Sequence, residues 1–294
     1  MNGFLNLLKP PGMSSGAAVA CVKRLVGEKV GHAGTLDPEA AGVLPVMVGR
    51  GARLLNYFTD KSKRYIAEIA FAGATDTQDA QGTIVEPARG VPERAEIEAV
   101  LPRFRGAILQ CPPAYSALKR DGVPLYALAR RGEMVETKAR PTTIDELTLC
   151  EQVSPDGYML EVACAEGTYI RTLCHDIGQA LGRPAHMRFL LRTRHGGFML
   201  EDAVTFEELQ RAAEKGETEK YLLPLAFPLS GMPALQVPPQ YAKLARNGGK
   251  LPAALLPTLA QGEKCQLWLA DTLLGVAHRE DALLRFDVGL TGGE

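Results

Sequence analysis

The residues best placed to do chemistry lie between 31 and 44, in the run Gly-His-Ala-Gly-Thr-Leu-Asp-Pro-Glu-Ala-Ala-Gly-Val-Leu. One carboxylate, Asp37, stands there on a backbone bent by three glycines and by Pro38. The proline drives Asp37 out of the helical region, and the glycines allow conformations that other residues avoid. Such a segment presents a carboxylate at a tight turn, with His32 five residues upstream, which is how a nucleophile or general base is displayed. The same residues also build an ordinary Asp-Pro turn, the reading that turn chemistry alone favours. Two other chemistries compete. Gly12-Met13-Ser14-Ser15-Gly16 satisfies the G-x-S-x-G pattern of serine hydrolases, but it follows Lys9-Pro10-Pro11 and not a buried central strand. A metal held by His32, Asp37 and Glu39 would have a ligand spacing unlike that of known zinc sites.

These groups need a scaffold, and the sequence outlines one. Ser14 and Ser15 are good caps for a helix over 17–26, and a second helix is expected over 50–58. Tyr65-Ile66-Ala67-Glu68-Ile69-Ala70-Phe71 reads as a strand, and 73–82 as a polar turn. A helix over 92–101 precedes strands over 142–149 and 158–164. The clearest helix follows Gly167-Thr168, where Ile170, Leu173, Cys174, Ile177 and Leu181 recur at helical spacing until Gly182 stops the run. Arg171 falls in its first turn, where the helix dipole disfavours a cation, so a partner anion is suggested, although a solvated arginine there costs little. A strand over 187–194 and a helix over 206–215 complete this part. The proline-rich stretch 221–233 reads as a linker, and short alternating runs at 265–270, 273–278 and 283–288 suit a small β module.

Length and composition set the outer bounds. With 294 residues, 46% hydrophobic and 23% charged, the chain suits a soluble protein of one large domain or of a large domain plus a small one. Its six cysteines include no Cys-x-x-Cys pair, which supports neither a zinc site nor a disulfide framework and points to a reducing, cytoplasmic setting. No signal peptide and no membrane span are expected. A net charge of −1 argues mildly against a nucleic-acid partner. The distribution argues the other way. Residues 182–198 carry four arginines, two histidines and no acid, while 199–219 carry seven acids, so either a basic face or a mixed solvated surface fits.

Seven segments, in order over about residues 3–215, resemble the TruB family of tRNA pseudouridine synthases. Lys9-Pro10-Pro11-Gly12-Met13-Ser14-Ser15 is similar to its N-terminal signature, and Gly31 to Pro45 to its catalytic loop, which places the catalytic aspartate at Asp37. Lys63-Arg64-Tyr65 resembles the strand with its active-site tyrosine. Ala74-Thr75-Asp76-Thr77-Gln78-Asp79 resembles its Thr-Asp-Thr-x-Asp turn, and Tyr115-Ser116-Ala117-Leu118-Lys119 the start of its thumb insertion. Gly167-Thr168-Tyr169-Ile170-Arg171-Thr172 matches the segment supplying the aspartate's arginine partner. Ala185-His186-Met187-Arg188-Phe189-Leu190 matches the region that packs on the flipped base.

The resemblance implies an α+β fold, with a mixed, mainly antiparallel central sheet, peripheral helices and a small C-terminal PUA-like β domain. It implies a catalytic domain over 1–220 with a thumb-like RNA-binding insertion over 119–140, a linker over 221–234 and the β domain over 235–294. The implied activity is isomerisation of uridine 55 in the T-loop of tRNA, with Asp37, Tyr65 and Arg171 catalytic. Substrate contacts are expected from Lys9, His32, Tyr169 and Leu190, and from Arg188 and Arg192 on a phosphate-contacting strip with Arg194. No cofactor, metal, membrane, guide RNA or obligatory protein partner is expected, and the chain is expected to be a monomer. A guide-RNA-dependent relative and a catalytically silent RNA-binding protein are the competing readings.

Overall fold

The computed structural model describes residues 1–113, 119–120, 123–124, 131 and 137–291. The chain opens with β1 (Gly3–Lys9), which is almost wholly buried, and passes through Pro10-Pro11 into α1 (Ser15–Val26). Ser14 caps α1 by accepting the Ala17 N–H at 3.1 Å, and Gly27 ends the helix in the left-handed region. The hydroxyl of the hydrolase-like motif is therefore a helix cap. β2 (Val30–His32), β3 (Ala41–Val48), a 3₁₀ helix (Gly49–Tyr57) and β4 (Lys63–Ala70) follow. A small hairpin, β5 (Ala74–Thr75) with β6 (Ile84–Glu86), leads to α2 (Arg94–Val100) and β7 (Gly106–Gln110). β8 (Lys119–Arg120) pairs with β9 (Val123–Pro124), and the thumb-like insertion expected over 119–140 otherwise lies largely outside the described residues.

β10 (Arg140–Ser154) and β11 (Gly157–Cys164) form a long hairpin, followed by α3 (Ile170–Ala180), β12 (His186–His195), β13 (Phe198–Met199), α4 (Phe206–Glu214) and β14 (Leu222–Leu223). One sheet gathers most of these strands in the order β14-β1-β3-β12-β4-β11-β10-β7, with β2 on β3 and β13 on β12. Every neighbour in it is antiparallel except β3 and β12, which run parallel through Leu191↔Ala41 and Arg192↔Gly42. This parallel seam matters because the Asp37 loop enters it directly. α1 and α3 cover one face, packing Val22, Leu173 and Ile177 into a core with Leu44, Ala67, Ile69 and Leu190. β1 and β3 escape the alternation test because strands buried on both faces carry no period-two signal.

A second, five-stranded sheet combines β15 (Ala234–Gln236), β16 (Leu251–Pro252), β17 (Lys264–Leu269), β18 (Thr272–Glu280) and β19 (Leu283–Gly289) in the order β15-β17-β18-β19-β16. It docks on the first body through Leu273, Val276 and Leu290, which share a cluster with Phe4, Phe58 and Phe198. The proline-rich stretch read as a linker is packed in place: β14 extends the first sheet beside β1, and Leu229 is fully buried. The architecture is α+β, with a mixed, mainly antiparallel central sheet and a C-terminal β domain. Among the described residues no helix is long and apolar enough to cross a membrane.

Candidate active site

Asp37 is held by contacts on both sides of it in the chain. The Ser15 hydroxyl donates to the Leu36 carbonyl and accepts the Leu36 N–H, each at 2.9 Å. The Lys9 ammonium donates to the carbonyls of Pro10 (2.8 Å), Met13 (2.6 Å) and Pro38 (3.0 Å). The Arg192 guanidinium donates to Gly34, Thr35 and Val43 carbonyls at 3.0, 3.3 and 2.8 Å. Two glycines make this closeness possible. Gly34 (φ +81°) would, with a Cβ, press on His195 Cε1 at 2.7 Å. Gly42 (φ +110°) lies flat on the Arg192 backbone.

Arg171 meets Asp37 with a two-pronged grip, Nε to Oδ2 at 3.0 Å and an Nη to Oδ1 at 3.3 Å. The same guanidinium reaches the Thr77 carbonyl at 3.1 Å and Asp79 Oδ2 at 3.4 Å. The cation that broke the helix-dipole rule thus has two carboxylate partners, and these outweigh a dipole effect worth only about 0.3–1 kcal/mol. Tyr169 is the N-cap of α3 and gives it no side-chain cap, while Gln110 accepts the N–H of Tyr169 itself at 3.0 Å. Asp79 is a site residue to which sequence reasoning gave no role. Its signal was the acidic turn 76–79 together with an arginine wanting an anion.

Electrostatically the site is mixed. Burial pushes the Asp37 carboxyl above its ordinary value and Asp79 adds to this, while Arg171 and Lys9 pull it back. Its side chain nonetheless keeps 36% of its surface open, whereas that of Arg171 keeps 7%, so the carboxylate faces out and its partner lies beneath. Tyr65 stands opposite Arg192 across β4 and β12, and the charge of the guanidinium acts on its phenol. Burial raises the Tyr65 phenol, so it stays protonated. Leu190 stands opposite Ala67 two pairs further along, in one core cluster with Leu36 and Tyr65. His32 and Tyr169 are half-buried, and burial and the charge of Arg192 depress the His32 imidazole.

Two of the expected substrate contacts, Lys9 and Arg192, are buried in this structure, and a third, Arg188, is paired with acids. Lys9 is fully buried and spends its donors on backbone carbonyls, so it braces the loop and does not reach a substrate; burial lowers its ammonium to about 8. Arg192 is likewise fully buried and cannot meet a phosphate. Arg188 is engaged by Asp156 and Glu68, with nitrogen–oxygen distances of 2.8 Å to each. Arg194 pairs with Asp60 at 2.7 Å. Two of the four arginines between 182 and 198 are thus paired with acids distant in sequence, and a third, Arg192, is buried. Among the described residues no cluster of three or more metal-ligating side chains forms.

Comparison with known proteins agrees with this geometry. The N-terminal domain model of the TruB family pseudouridylate synthases matches residues 23–170, and the tRNA pseudouridylate synthase B C-terminal domain model matches 171–231. The tRNA pseudouridine synthase B of Heliobacterium modesticaldum is 46% identical over 242 residues, covering 81% of this chain and 78% of that one. The Bacillus subtilis protein of the same name is 41% identical over 258 residues, covering 85% and 84%. In structure the chain is similar to one solved in a Cbf5-Nop10-Gar1 complex, with a TM-score of 0.75 at 25% identity, covering 98% of this chain and 84% of that one. A chain of the archaeal box H/ACA sRNP Nop10-Cbf5 complex gives a TM-score of 0.72 at 26% identity, with 97% and 84% covered. A shared sheet, a carboxylate loop gripped from below by an arginine, and these family matches over most of the chain lead to one conclusion: the chain belongs to the TruB family of pseudouridylate synthases.

Proposed function

We propose that this protein converts uridine 55 in the T-loop of tRNA to pseudouridine as a stand-alone cytoplasmic enzyme, using Asp37, Tyr65 and Arg171. The observation that carries the reading is the outward-facing Asp37 carboxylate with the Arg171 guanidinium gripping both its oxygens from the buried side. The reaction breaks the N1–C1′ bond of uridine, leaves its electron pair on the ring, turns the base and closes a C5–C1′ bond. The proton on C5 departs and N1 gains one, so substrate and product are isomers and no redox partner is consumed.

Asp37 supplies an anionic oxygen at the sugar–base junction, as nucleophile or as base, and Arg171 keeps that oxygen ionised and aimed. Tyr65 and Leu190 offer an aromatic ring and an apolar wall for the uracil, and the resemblance adds Tyr169 to them. The uridine must leave its stack at a cost of a few kcal/mol, and His32 in the loop is proposed to occupy the vacated space. We divide the chain into a catalytic domain over 1–220 and a PUA-like RNA-binding domain over 235–294, which the coverage of the Cbf5 chains supports.

Tritium release from a T-arm transcript carrying 5-tritiated uridine tests the reading. Release by the wild type with no other component added, and none by Asp37→Asn, is the expected result. Full turnover by Asp37→Asn defeats the catalytic assignment. The Cbf5 neighbours come from assemblies with other proteins and RNA, so a need for a guide or partner is the second reading. Silence of the wild type alone, with RNA binding intact, would favour it.

A further inference from the structure

We propose that Lys63, with His195 across the strand pair and Lys61 at the rim, binds a backbone phosphodiester of the RNA next to the target uridine. The proposal rests on the reading of Asp37 and Tyr65 as the uridine site. It assigns to Lys63 a contact that Arg188 and Arg192 are not free to make, since their guanidiniums are engaged by protein partners.

Lys63 begins β4 on the face that carries Tyr65, because side chains two apart on a strand point the same way. The two stand about 7 Å apart along the strand, a span like that from a nucleotide's base to its own phosphate. Its register partners are His195 on β12 and Cys164 on β11. Lys63 is only 8% exposed, yet among the described residues its ammonium makes no hydrogen bond or ion pair. His195 is 2% exposed, and its Nδ1 is buried with no hydrogen-bond partner. The ring lies against the Asp37 loop, where a Cβ on Gly34 would come within 2.7 Å of its Cε1. Two polar side chains, each more than nine-tenths buried and with unmet hydrogen-bonding capacity, thus stand side by side. Protein interiors seldom hold such groups unless a ligand completes them.

The charges around these groups decide which ligand chemistry they accept. Burial, with the charges of Arg192, Lys63 and Lys61, depresses the His195 imidazole to about 2, so the ring stays neutral. Burial raises the Cys164 thiol to about 11, so it supplies no anion. Glu166 is the carboxylate that acts on Lys63, and it is more than half exposed and lies 3.6 Å from Lys61. The Lys63 ammonium therefore sits in a poorly hydrated place with a surplus of positive charge, a cost that an anion offsets. A phosphodiester carries one negative charge and two free acceptor oxygens, enough for an ammonium and an imidazole N–H together. A carboxylate has the same charge, but the polymer that must reach Asp37 presents phosphates and no carboxylates. Lysine suits the task, since its compact ammonium meets a phosphate as a point charge from a flexible stem.

The test is binding of T-arm transcripts over a salt series by Asp37→Asn protein, so that no turnover intervenes, with and without Lys63→Met. Lys63→Met should weaken binding about tenfold, as expected for a hydrogen bond to a charged group. It should also make the dependence of log Kd on log salt shallower by about 0.7–0.9, the share of one phosphate. Transcripts with a neutral methylphosphonate at either phosphate flanking the target uridine locate the contact. At one of the two positions that change should weaken binding when Lys63 is present and cost little more when methionine replaces it. Lys63→Met should melt no lower than the protein that keeps the lysine, because an unpaired buried cation has been removed. An unchanged salt slope, above all with a lowered Tm, would overturn the proposal in favour of a structural lysine. Methylphosphonate costs fully additive with Lys63→Met at both positions would overturn it as well. If Lys63→Met does not fold, the methylphosphonate pair decides, and no loss of affinity at either position refutes the contact. Wild-type protein that shows the Lys63-dependent contact but releases no tritium would count against the catalytic reading and leave the phosphate site standing. Tritium release by the wild type with binding indifferent to Lys63 would sink this proposal alone.

Discussion

Replacing Gly42 by alanine should unseat the Asp37 loop, and the size of the effect can be worked from the structure. Gly42 has φ +110°, a conformation unfavourable for any L side chain, and it faces the Arg192 backbone across the parallel seam. A Cβ there would overlap the Arg192 carbonyl oxygen and lie 2.8 and 2.9 Å from its nitrogen and carbonyl carbon. These are backbone atoms with no rotamer to change, so β3 or β12 must retreat by roughly 1 Å to reach ordinary contact. The unfavourable backbone costs about 1–2 kcal/mol and the overpacking about 1–3 kcal/mol. The expected loss is therefore about 2–5 kcal/mol, a fall in Tm of roughly 5–15 °C for a chain of this size. The seam carries the Asp37 loop, so the rate should fall too, by about a hundredfold for a 1 Å displacement. Urea unfolding gives the stability change and tritium release under single-turnover conditions gives the rate. A Gly42→Ala protein with Tm and rate both close to wild type would show that the loop is not seated on this seam and would refute the reasoning.

Three further outcomes follow from the same geometry. Because burial holds Asp37 above its ordinary value, its ionised form costs stability, a cost that appears as pH rises through the raised value; Asp37→Asn should melt no lower than wild type at pH 7 while losing activity, and a lower Tm would contradict this. Lys9 is lowered to about 8 against an ordinary 10.5, so the folded state holds fewer protons than the unfolded one between those values; stability should gain a rising contribution with pH there, which Lys9→Met should remove from urea midpoints measured across that window. Arg188 holds Asp156 down to about 2, so Arg188→Ala should cost about 1 kcal/mol at pH 7 after allowing for partial exposure, with the difference shrinking as pH falls from about 4 towards 2, and should leave the salt slope of RNA binding unchanged.

How far the sequence reached depends on the range of the interactions involved. The α3 helix was legible from its own spacing, and so was the oddity of Arg171 in its first turn, because both are local properties of one segment. The bent display of Asp37 was legible for the same reason, since proline and glycine act on their own backbone. β1 and β3 were not, since burial on both faces erases the alternation that marks a strand, and only the sheet order shows them flanking the active-site loop. The basic run from 183 to 194 looked like a surface because sequence shows charge without its partners. Folding brings Asp60, Glu68 and Asp156 against it from elsewhere in the chain. Lys9 and Arg192 carried the same ambiguity. A cation near a catalytic motif can face the substrate or brace the loop, and its residue type is the same in both cases. By itself the sequence determined which groups are available and where the chain must bend. The tertiary structure decided which of them face outward, because burial and hydrogen-bond partners are settled only when distant strands meet.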